Sequence, residues 1–353
     1  MAGPHPAVAA VRSAVRSDLR ALTAGLDAPA DGAPAPLVLV AVSGGPDSTA
    51  LAAALAFEAP KLGLRAGALT VDHAWSGDSP ARAAAVLGTG RQLGLDPLEV
   101  LSASAPRSEG VARDRRRAAL LAAVERHRAV ALLLGHTVDD QAETVLLRLA
   151  RGSGSRSLAG MPAVAGVLRR PLLGLRRTET RRCCAELGLP VWDDPANDDP
   201  AFLRNRVRAE LLPLLHDVLG PGAVPALARS ADLLRADADA LDALAGSASE
   251  RPDALTVEAL EGLLPALRSR VLRRAALAAG SPGTDLSAAH VAALEALVTH
   301  WHGQGPIPLP GGLVARRRDG RIEIGRDAGP ARRPSEHAQR TSPTRTPTAR
   351  DSG

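Results

Sequence analysis

A run of β-favouring residues, Leu37 to Val42, leads directly into Ser43-Gly44-Gly45-Pro46-Asp47-Ser48, and a helix-forming stretch, Thr49 to Glu58, follows without a break. The order strand, glycine-rich turn, helix constrains this chain more than any other feature. Adjacent glycines permit positive φ and close approach of a ligand, so their N–H groups can form an anion nest at the positive end of the following helix. A phosphate belongs there. Ser43 and Ser48 add hydroxyls, whereas Asp47 has the wrong sign for a phosphate and implies a bridging divalent cation, with magnesium the expected ion. An ordinary βα turn capped by Asp47 or Ser48 accounts for two glycines, but poorly for the whole six-residue string.

The loop is not of the Gly-Lys-Ser/Thr kind, in which a lysine reaches the outer phosphates. The only lysine, Lys61, lies at the far end of the helix. Ser-Gly-Gly-x-Asp-Ser instead resembles the pyrophosphate loop (PP-loop) of the ATP pyrophosphatases. That resemblance implies adenylation of a carbonyl oxygen, release of pyrophosphate, and displacement of AMP by a nucleophile.

From Leu37 onward strand-like and helix-like stretches alternate. Leu64 to Asp72, Leu98 to Ser102 and Val130 to Gly135 read as strands, with helices over Asp78 to Leu93 and Glu109 to His127. Such alternation builds right-handed βαβ units and a parallel sheet with ligands at the carboxyl ends of its strands. Three motifs fall at such ends: Ser43 to Ser48, Val71-Asp72-His73, and Gly135-His136-Thr-Val-Asp139-Asp140-Gln-Ala-Glu143. They are expected to share one pocket. Capping by Asp139 or Asp140 accounts for part of the last motif, but not for His136 beside a nucleotide site. Arg151-Gly-Ser-Gly-Ser-Arg156-Ser157 is a basic, glycine-rich loop suited to closing over a phosphate-rich ligand. A short strand near Val167 to Leu172, a helix from Thr178 to Leu187, and the arginine-rich Phe202-Leu-Arg204-Asn-Arg206-Val-Arg208 follow.

The 353 residues, 45% of them hydrophobic, suffice for two compact domains. A pI near 10.5 points toward a polyanionic partner, although the arginine and alanine content also carries a compositional bias. Two adjacent cysteines, Cys183 and Cys184, cannot form a Cys-x-x-Cys site and read as helix-packing residues in a reducing compartment. No apolar run approaches the roughly 20 residues of a membrane span and no signal-peptide core is visible, so a cytoplasmic enzyme away from the membrane is expected.

Taken in order, Ser-Gly-Gly-Pro-Asp-Ser, Val-Asp-His, Glu109-Gly-Val-Ala-Arg113, His136-Thr-Val-Asp-Asp-Gln-Ala-Glu-Thr-Val-Leu-Leu-Arg148, Arg-Gly-Ser-Gly, Leu158-Ala-Gly-Met161, Arg170-Pro-Leu-Leu173, and Asp194-Pro-Ala-Asn-Asp-Asp-Pro with Arg204-Asn-Arg-Val-Arg208 resemble the ordered signatures of the tRNA(Ile)-lysidine synthetases. They span about Leu37 to Leu215. Arg117 stands where that family often has an aromatic residue, and Ser157 where glycine is usual. The resemblance implies an enzyme that uses ATP and free L-lysine to convert the wobble cytidine of an isoleucine tRNA with a CAU anticodon into lysidine. By the same resemblance Ser43, Gly44, Gly45, Pro46, Asp47 and Ser48 hold ATP and its magnesium. His136, Asp139 and Asp140 then shape the adenylate and lysine pocket, with Arg113, Arg151, Arg204 and Arg206 at tRNA phosphates.

The expected organisation is an N-terminal helix and linker over 1–36 and a PP-loop, Rossmann-like α/β catalytic domain over 37–220. A smaller, mainly helical tRNA-binding domain with a terminal hairpin covers 221–326, and a disordered tail 327–353. In the first segment Val8, Val11, Val15, Leu19, Leu22 and Leu26 form an apolar stripe flanked by Arg12, Arg16 and Arg20, which read as a solvated face. In the third, helices are expected over Val224 to Leu244, Leu255 to Ala279 and Leu286 to Trp301, with the hairpin made by Ile307 to Leu309 and Leu313 to Ile324. The tail carries Asp327, Glu336 and Asp351 against Arg332, Arg333, Arg340, Arg345 and Arg350, a net charge of only two. Trp75 is the best base-stacking candidate among five aromatic residues. The competing functions are another PP-loop tRNA enzyme such as a thiolase, for which adjacent cysteines serve poorly, and a non-catalytic nucleotide- and RNA-binding regulator, which leaves the acidic cluster without a role. Which of Asp139 and Asp140 handles the lysine amine stays open, as does oligomeric state, a homodimer included.

Overall fold

Strand β1 (Leu37–Ala41) is apolar along its whole length, and its residues alternate between two cores. Val38 and Val40 face one, Leu37 and Leu39 the other, as the period of two requires. A strand of this kind must be covered on both faces. In the structure, a computed structural model that describes residues 3–27, 32, 34–72, 79–102, 109–194 and 199–326, β1 lies near the centre of a six-stranded sheet. Its parallel neighbours are β2 (Arg65–Asp72), with Leu37 opposite Arg65, and β4 (Ala131–Leu133), with Val38 opposite Ala131. With β3 (Leu98–Ser102), β5 (Val164–Ala165) and β6 (Leu168–Arg169), the sheet order is β3-β2-β1-β4-β6-β5. Only β5 runs antiparallel to its neighbour.

One face is covered by α1 (Pro6–Thr23), α2 (Pro46–Glu58), α3 (Ser79–Gln92) and α7 (Arg177–Glu186), the other by α4 (Glu109–His127). Val8, Val11, Val15 and Leu19, spaced by three and four residues, bury one stripe of α1. The arginine flank of that helix is not simply solvated. The Arg12 guanidinium stacks 3.4 Å from the centre of the Phe57 ring, and Arg16 Nε donates to the buried Glu58 carboxylate at 3.2 Å. Cys183 and Cys184 are buried on α7 and fill the core, as read from the sequence.

Two compact units divide the chain, Met1–Ala238 and Asp239–Gly353, and the division falls inside the helix α10 (Ala223–Ser249). The first unit continues past the sheet through α5 (Val138–Leu149), α6 (Ser155–Leu158), α8 (Leu203–Arg206), a π-helical turn over Val207–Leu211, and α9 (Leu212–Leu219). Val138 and Ala142 of α5 pack on Val207, Leu212, Val224 and Ala228, so the segment after residue 200 is tied to the first unit through α5.

The second unit contains α11 (Val257–Glu261), α12 (Pro265–Ala278), α13 (Ala288–Thr299) and a three-stranded antiparallel sheet of β7 (Ile307–Leu309), β8 (Leu313–Arg318) and β9 (Arg321–Arg326). Two expectations need correction here. The helix expected over Leu255 to Ala279 is broken, because Pro265 cannot donate within a helix and instead starts a new one. The strand expected from Leu313 to Ile324 is two strands, because Asp319 and Gly320 adopt φ of 47° and 70°, the signature of a tight hairpin turn. Among the described residues no single helix is long and apolar enough to cross a membrane. His73, Trp75, Asn197 and the tail from Asp327 lie outside the described residues.

Candidate active site

The loop between β1 and α2 is held by its own hydroxyls. Ser48 Oγ accepts from the Ser43 N–H at 3.1 Å and donates to the Gly45 carbonyl at 3.0 Å, which leaves Ser43 Oγ, 3.1 Å away, to donate to Ser48. Ser48 is therefore a buried brace and Ser43 the exposed hydroxyl. Gly44 sits at φ 88°, a conformation open to glycine, and an added Cβ would meet Val86 at 3.3 Å. Gly45 caps α2 without a side-chain bond, and Pro46 supplies the fixed φ of the first turn. The first-turn N–H groups of this 13-residue helix thus meet the carboxyl end of a central strand, the arrangement that binds phosphate. At the end of β4, Gly135 supports the loop from behind, its Cα so close that a Cβ would lie 2.9 Å from Ser48 N.

Beside the loop, four carboxylates meet four arginines. Asp47 Oδ1 accepts from the Thr180 hydroxyl and Oδ2 faces Arg177 Nε at 3.4 Å. Burial raises the Asp47 pKa, against the pull of Thr180 and Arg177. Asp140 is buried and caps α5, accepting from the Thr137 N–H at 2.8 Å and its hydroxyl at 3.0 Å through Oδ2. Its Oδ1 faces Arg177 at 2.9 Å, Arg208 at 3.4 Å and Arg204 at 3.5 Å. Burial alone would raise this carboxyl, yet the surrounding cations, Arg177 and Arg204 foremost, and the Thr137 N–H hold it below its usual value. Glu143 is fully buried, with Arg204 Nε and Arg208 Nε each at 2.8 Å. Asp139 is engaged differently. It accepts the Arg177 backbone N–H at 2.8 Å and pairs with Arg176, tying the start of α7 to α5. His136 lies next to this cluster, its Nδ1 buried without a hydrogen-bond partner, and burial lowers its pKa to about 4. It is a neutral imidazole at pH 7.

A second cationic group surrounds the loop after α5. Arg148 Nη1 donates to the Ser157 carbonyl at 2.6 Å and the Gly160 carbonyl at 3.1 Å, Arg170 Nη1 to Pro162 at 2.8 Å, and Arg235 to Ala159. Gln141 closes the same loop, taking the Met161 N–H at 2.7 Å and donating to its carbonyl at 3.0 Å. Arg148 and Arg170 spend these donors on backbone carbonyls rather than on carboxylates. Burial, and then a nearby guanidinium, Arg113 for Arg148 and Arg117 for Arg170, lowers the pKa of both. On the other side of the phosphate loop, a mainly apolar cavity of about 190 Å³ is walled by Val42, Gly44, Ala68, Val86 and Trp192, whose backbone N–H donates to the Gly44 carbonyl at 2.8 Å.

The structure brings Ser43 to Ser48, Asp140, Arg204 and the neighbouring His136 into one site, and sets Arg113 and Arg151 among the arginines around Arg148. Arg206 is turned away, its guanidinium paired at 3.0 Å with Glu210 on the exposed flank of α8. Arg177, Arg208 and Trp192 are site residues that sequence reasoning misses, and it leaves Glu143 as one carboxylate among several. The spacing does contain a signal: Arg204 and Arg208 stand four apart and share a helical face, whereas Arg206 lies across from them. Nothing local distinguishes Arg177 from its neighbour Arg176. As for magnesium, one or two carboxylates plus phosphate oxygens are what this ion takes, and Asp47 beside the nest supplies one such carboxylate. Arg177 Nε lies 3.4 Å from Asp47, so a bound cation would take over that contact.

A phosphate nest at the end of a covered parallel sheet, with acids gathered at the next strand end, defines a nucleotide-binding α/β protein. Residues 19–215 match the PP-loop domain family model, so this is an ATP-binding PP-loop domain, and residues 255–323 match the TilS substrate binding domain. The chain belongs to the tRNA(Ile)-lysidine synthase family. It is 53% identical over 348 residues to the tRNA(Ile)-lysidine synthase of Streptomyces coelicolor, covering 91% of this chain and 99% of that one. It is 52% identical over 334 residues to that of Thermobifida fusca, covering 93% and 100%. Among solved structures, a U34-tRNA thiolase, NcsA of Methanococcus maripaludis with its [4Fe-4S] cluster, matches 65% of this chain and 80% of its own with a TM-score of 0.52 at 17% identity. That likeness concerns the fold alone.

Proposed function

We propose that the protein ligates free lysine to C2 of the wobble cytidine of an isoleucine tRNA with a CAU anticodon, through an adenylated tRNA, with release of AMP and pyrophosphate. One observation carries the reading: Arg177 reaches both Asp47 of the phosphate loop and the buried carboxylates Asp140 and Glu143, so the anion nest and the acid pair adjoin. The reaction needs both. The C2 oxygen of cytosine is a poor leaving group until it has attacked the α-phosphate, so phosphate must be held first and an amine second.

In this scheme the loop N–H groups and the Ser43 hydroxyl bind and orient the triphosphate, with the adenine against the apolar wall of Val42, Val86 and Trp192. A divalent cation at Asp47 would supply neutralisation of the charge that develops on pyrophosphate. Asp140 and Glu143 receive the lysine ammonium, and a carboxylate there can take the proton it must lose before attack on C2. Asp140 is better placed than Asp139, whose oxygens are spent on the start of α7. Neutral His136 stands beside Asp140. The anticodon base lies in a single-stranded loop and can be turned in at modest cost, with the arginines around Arg148 and Arg170 holding the flanking phosphates. Residues 221–326 would supply further contacts to the tRNA, and the cytoplasm is the compartment where the substrate is found.

A thiolase reading is less favoured, because the two cysteines are adjacent, buried on α7, and Cys184 is pushed up to about 12 by burial. The test is incubation with ATP, labelled lysine and the tRNA, followed by mass spectrometry of the anticodon loop. Lysidine together with AMP and pyrophosphate is the expected result; an unmodified cytidine, a sulfur-containing base, or ADP with orthophosphate would overturn it.

A further inference from the structure

Asp140 Oδ1 is approached by three guanidinium groups, one more than the two lone pairs of a carboxylate oxygen can serve directly. The three arginines are not equivalent. Arg204 and Arg208 come from α8 and the π-helical turn, and each anchors on Glu143 through a 2.8 Å bond. Arg177 comes from α7 and has one short contact, 2.9 Å to Asp140. Its other carboxylate contacts are long, 3.5 Å to Glu143 and 3.4 Å to Asp47. Of the three it is the one that touches both the phosphate loop and the acid pair. Its backbone is fixed, since its N–H is bound to Asp139 at the start of α7. Its side chain, 22% exposed, spans from that anchor to both half-sites.

Charge decides what that span can do. Asp47, Asp140 and Glu143 carry three negative charges and Arg177, Arg204 and Arg208 three positive, so the cluster is balanced without substrate. An entering ammonium makes it four against three while Arg177 stays. A triphosphate in the nest offers Arg177 another anion on the side its Nε already faces. Resting on the lysine-ligating reading above, we propose that Arg177 is an internal stand-in for the substrate ammonium: it closes Asp140 and Glu143 to lysine until nucleotide phosphates draw it toward the phosphate loop, and thereby makes lysine binding follow ATP binding. No separate regulatory site is required, because the same side chain bridges the two half-sites.

The test is calorimetric titration of lysine into the full-length protein, alone and with an ATP analogue whose α–β bridge cannot be cleaved. For the unsubstituted protein the expected result is a lysine Kd at least tenfold lower with the analogue than without; a ratio below about three would overturn the proposal without any variant. In Arg177→Gln, which keeps hydrogen-bonding capacity and loses the charge, lysine alone is expected to bind at least tenfold more tightly than to the unsubstituted protein, and the analogue to add little. Folded Arg177→Gln that still binds the analogue but binds lysine no better would mean that Arg177 is only a brace. Should Arg177→Gln fail to fold, Arg177→Met decides: an uncharged side chain of similar length should tighten lysine binding in the absence of nucleotide, and unchanged binding would refute the gate. Failure of lysidine formation under any condition would strike the proposed reaction instead, whereas lysidine formation with nucleotide-independent lysine binding would strike only the gate.

Discussion

Replacing Gly135 by alanine puts a methyl group into the back of the phosphate loop. The added Cβ would stand 2.9 Å from Ser48 N and 3.0 Å from both the Asp47 carbonyl carbon and Ser48 Cα, where an ordinary contact begins near 3.4 Å. All three atoms are backbone in the first turn of α2, so no side chain can rotate away. Either β4 or the helix start must move by about 0.4–0.5 Å, and overpacking of this order costs about 1–3 kcal/mol. In a unit of this size that corresponds to a fall in Tm of roughly 2 to 10 °C. The larger consequence is local, because the displaced turn is the one whose N–H groups face the triphosphate. Losing or stretching one charge-assisted hydrogen bond weakens ATP binding by about 1.5–3 kcal/mol, roughly ten- to hundredfold in Kd. Calorimetry with ATP and thermal unfolding of the same preparation measure both. Unchanged ATP affinity in a folded Gly135→Ala protein would refute the claim that Gly135 sets the position of the nest.

Three further outcomes are expected. Asp47 has a raised pKa in the folded state, so its ionisation costs stability as pH rises from the usual 3.8 through the folded value, and the cost persists at pH 7; Asp47→Asn should therefore hold or raise Tm at pH 7 while abolishing pyrophosphate release, and a loss of several degrees would show that pairing with Arg177 outweighs burial. His136 runs the other way, with a folded pKa of about 4 against 6.5, so stability is lost as pH falls between these values; His136→Gln should flatten that loss in urea titrations, and the imidazole NMR signal should not titrate between pH 8 and 5. Arg206 pairs with exposed Glu210 rather than with the buried acids, so Arg206→Ala should leave Tm unchanged, and its effect should be confined to the tRNA KM and its salt dependence; a reduced rate at saturating tRNA would place Arg206 nearer the reacting groups.

The strand-turn-helix order at Leu37 to Glu58, the alternation that follows it and the apolar stripe of α1 were legible because each rests on local periodicity or on glycine and proline chemistry. So was the position of the glycine loop between β1 and α2. The breaks at Pro265 and Asp319-Gly320 were equally local, and reading through them let helical and strand periodicity outweigh a turn signal that was present. The carboxylate cluster was legible only as a count. Asp139 and Asp140 are neighbours of the same chemical type, and their different roles follow from what approaches them: Asp139 meets the backbone start of α7, 38 positions away, while Asp140 meets Arg177, Arg204 and Arg208. Arg204 and Arg206 differ in the same way. Sequence determined which residue types could hold phosphate and where the backbone would allow it. Tertiary structure alone decided which cations neutralise which acids, because ion pairing depends on distances across elements far apart in the chain, and a charged side chain reveals nothing of its partner until packing brings the two together.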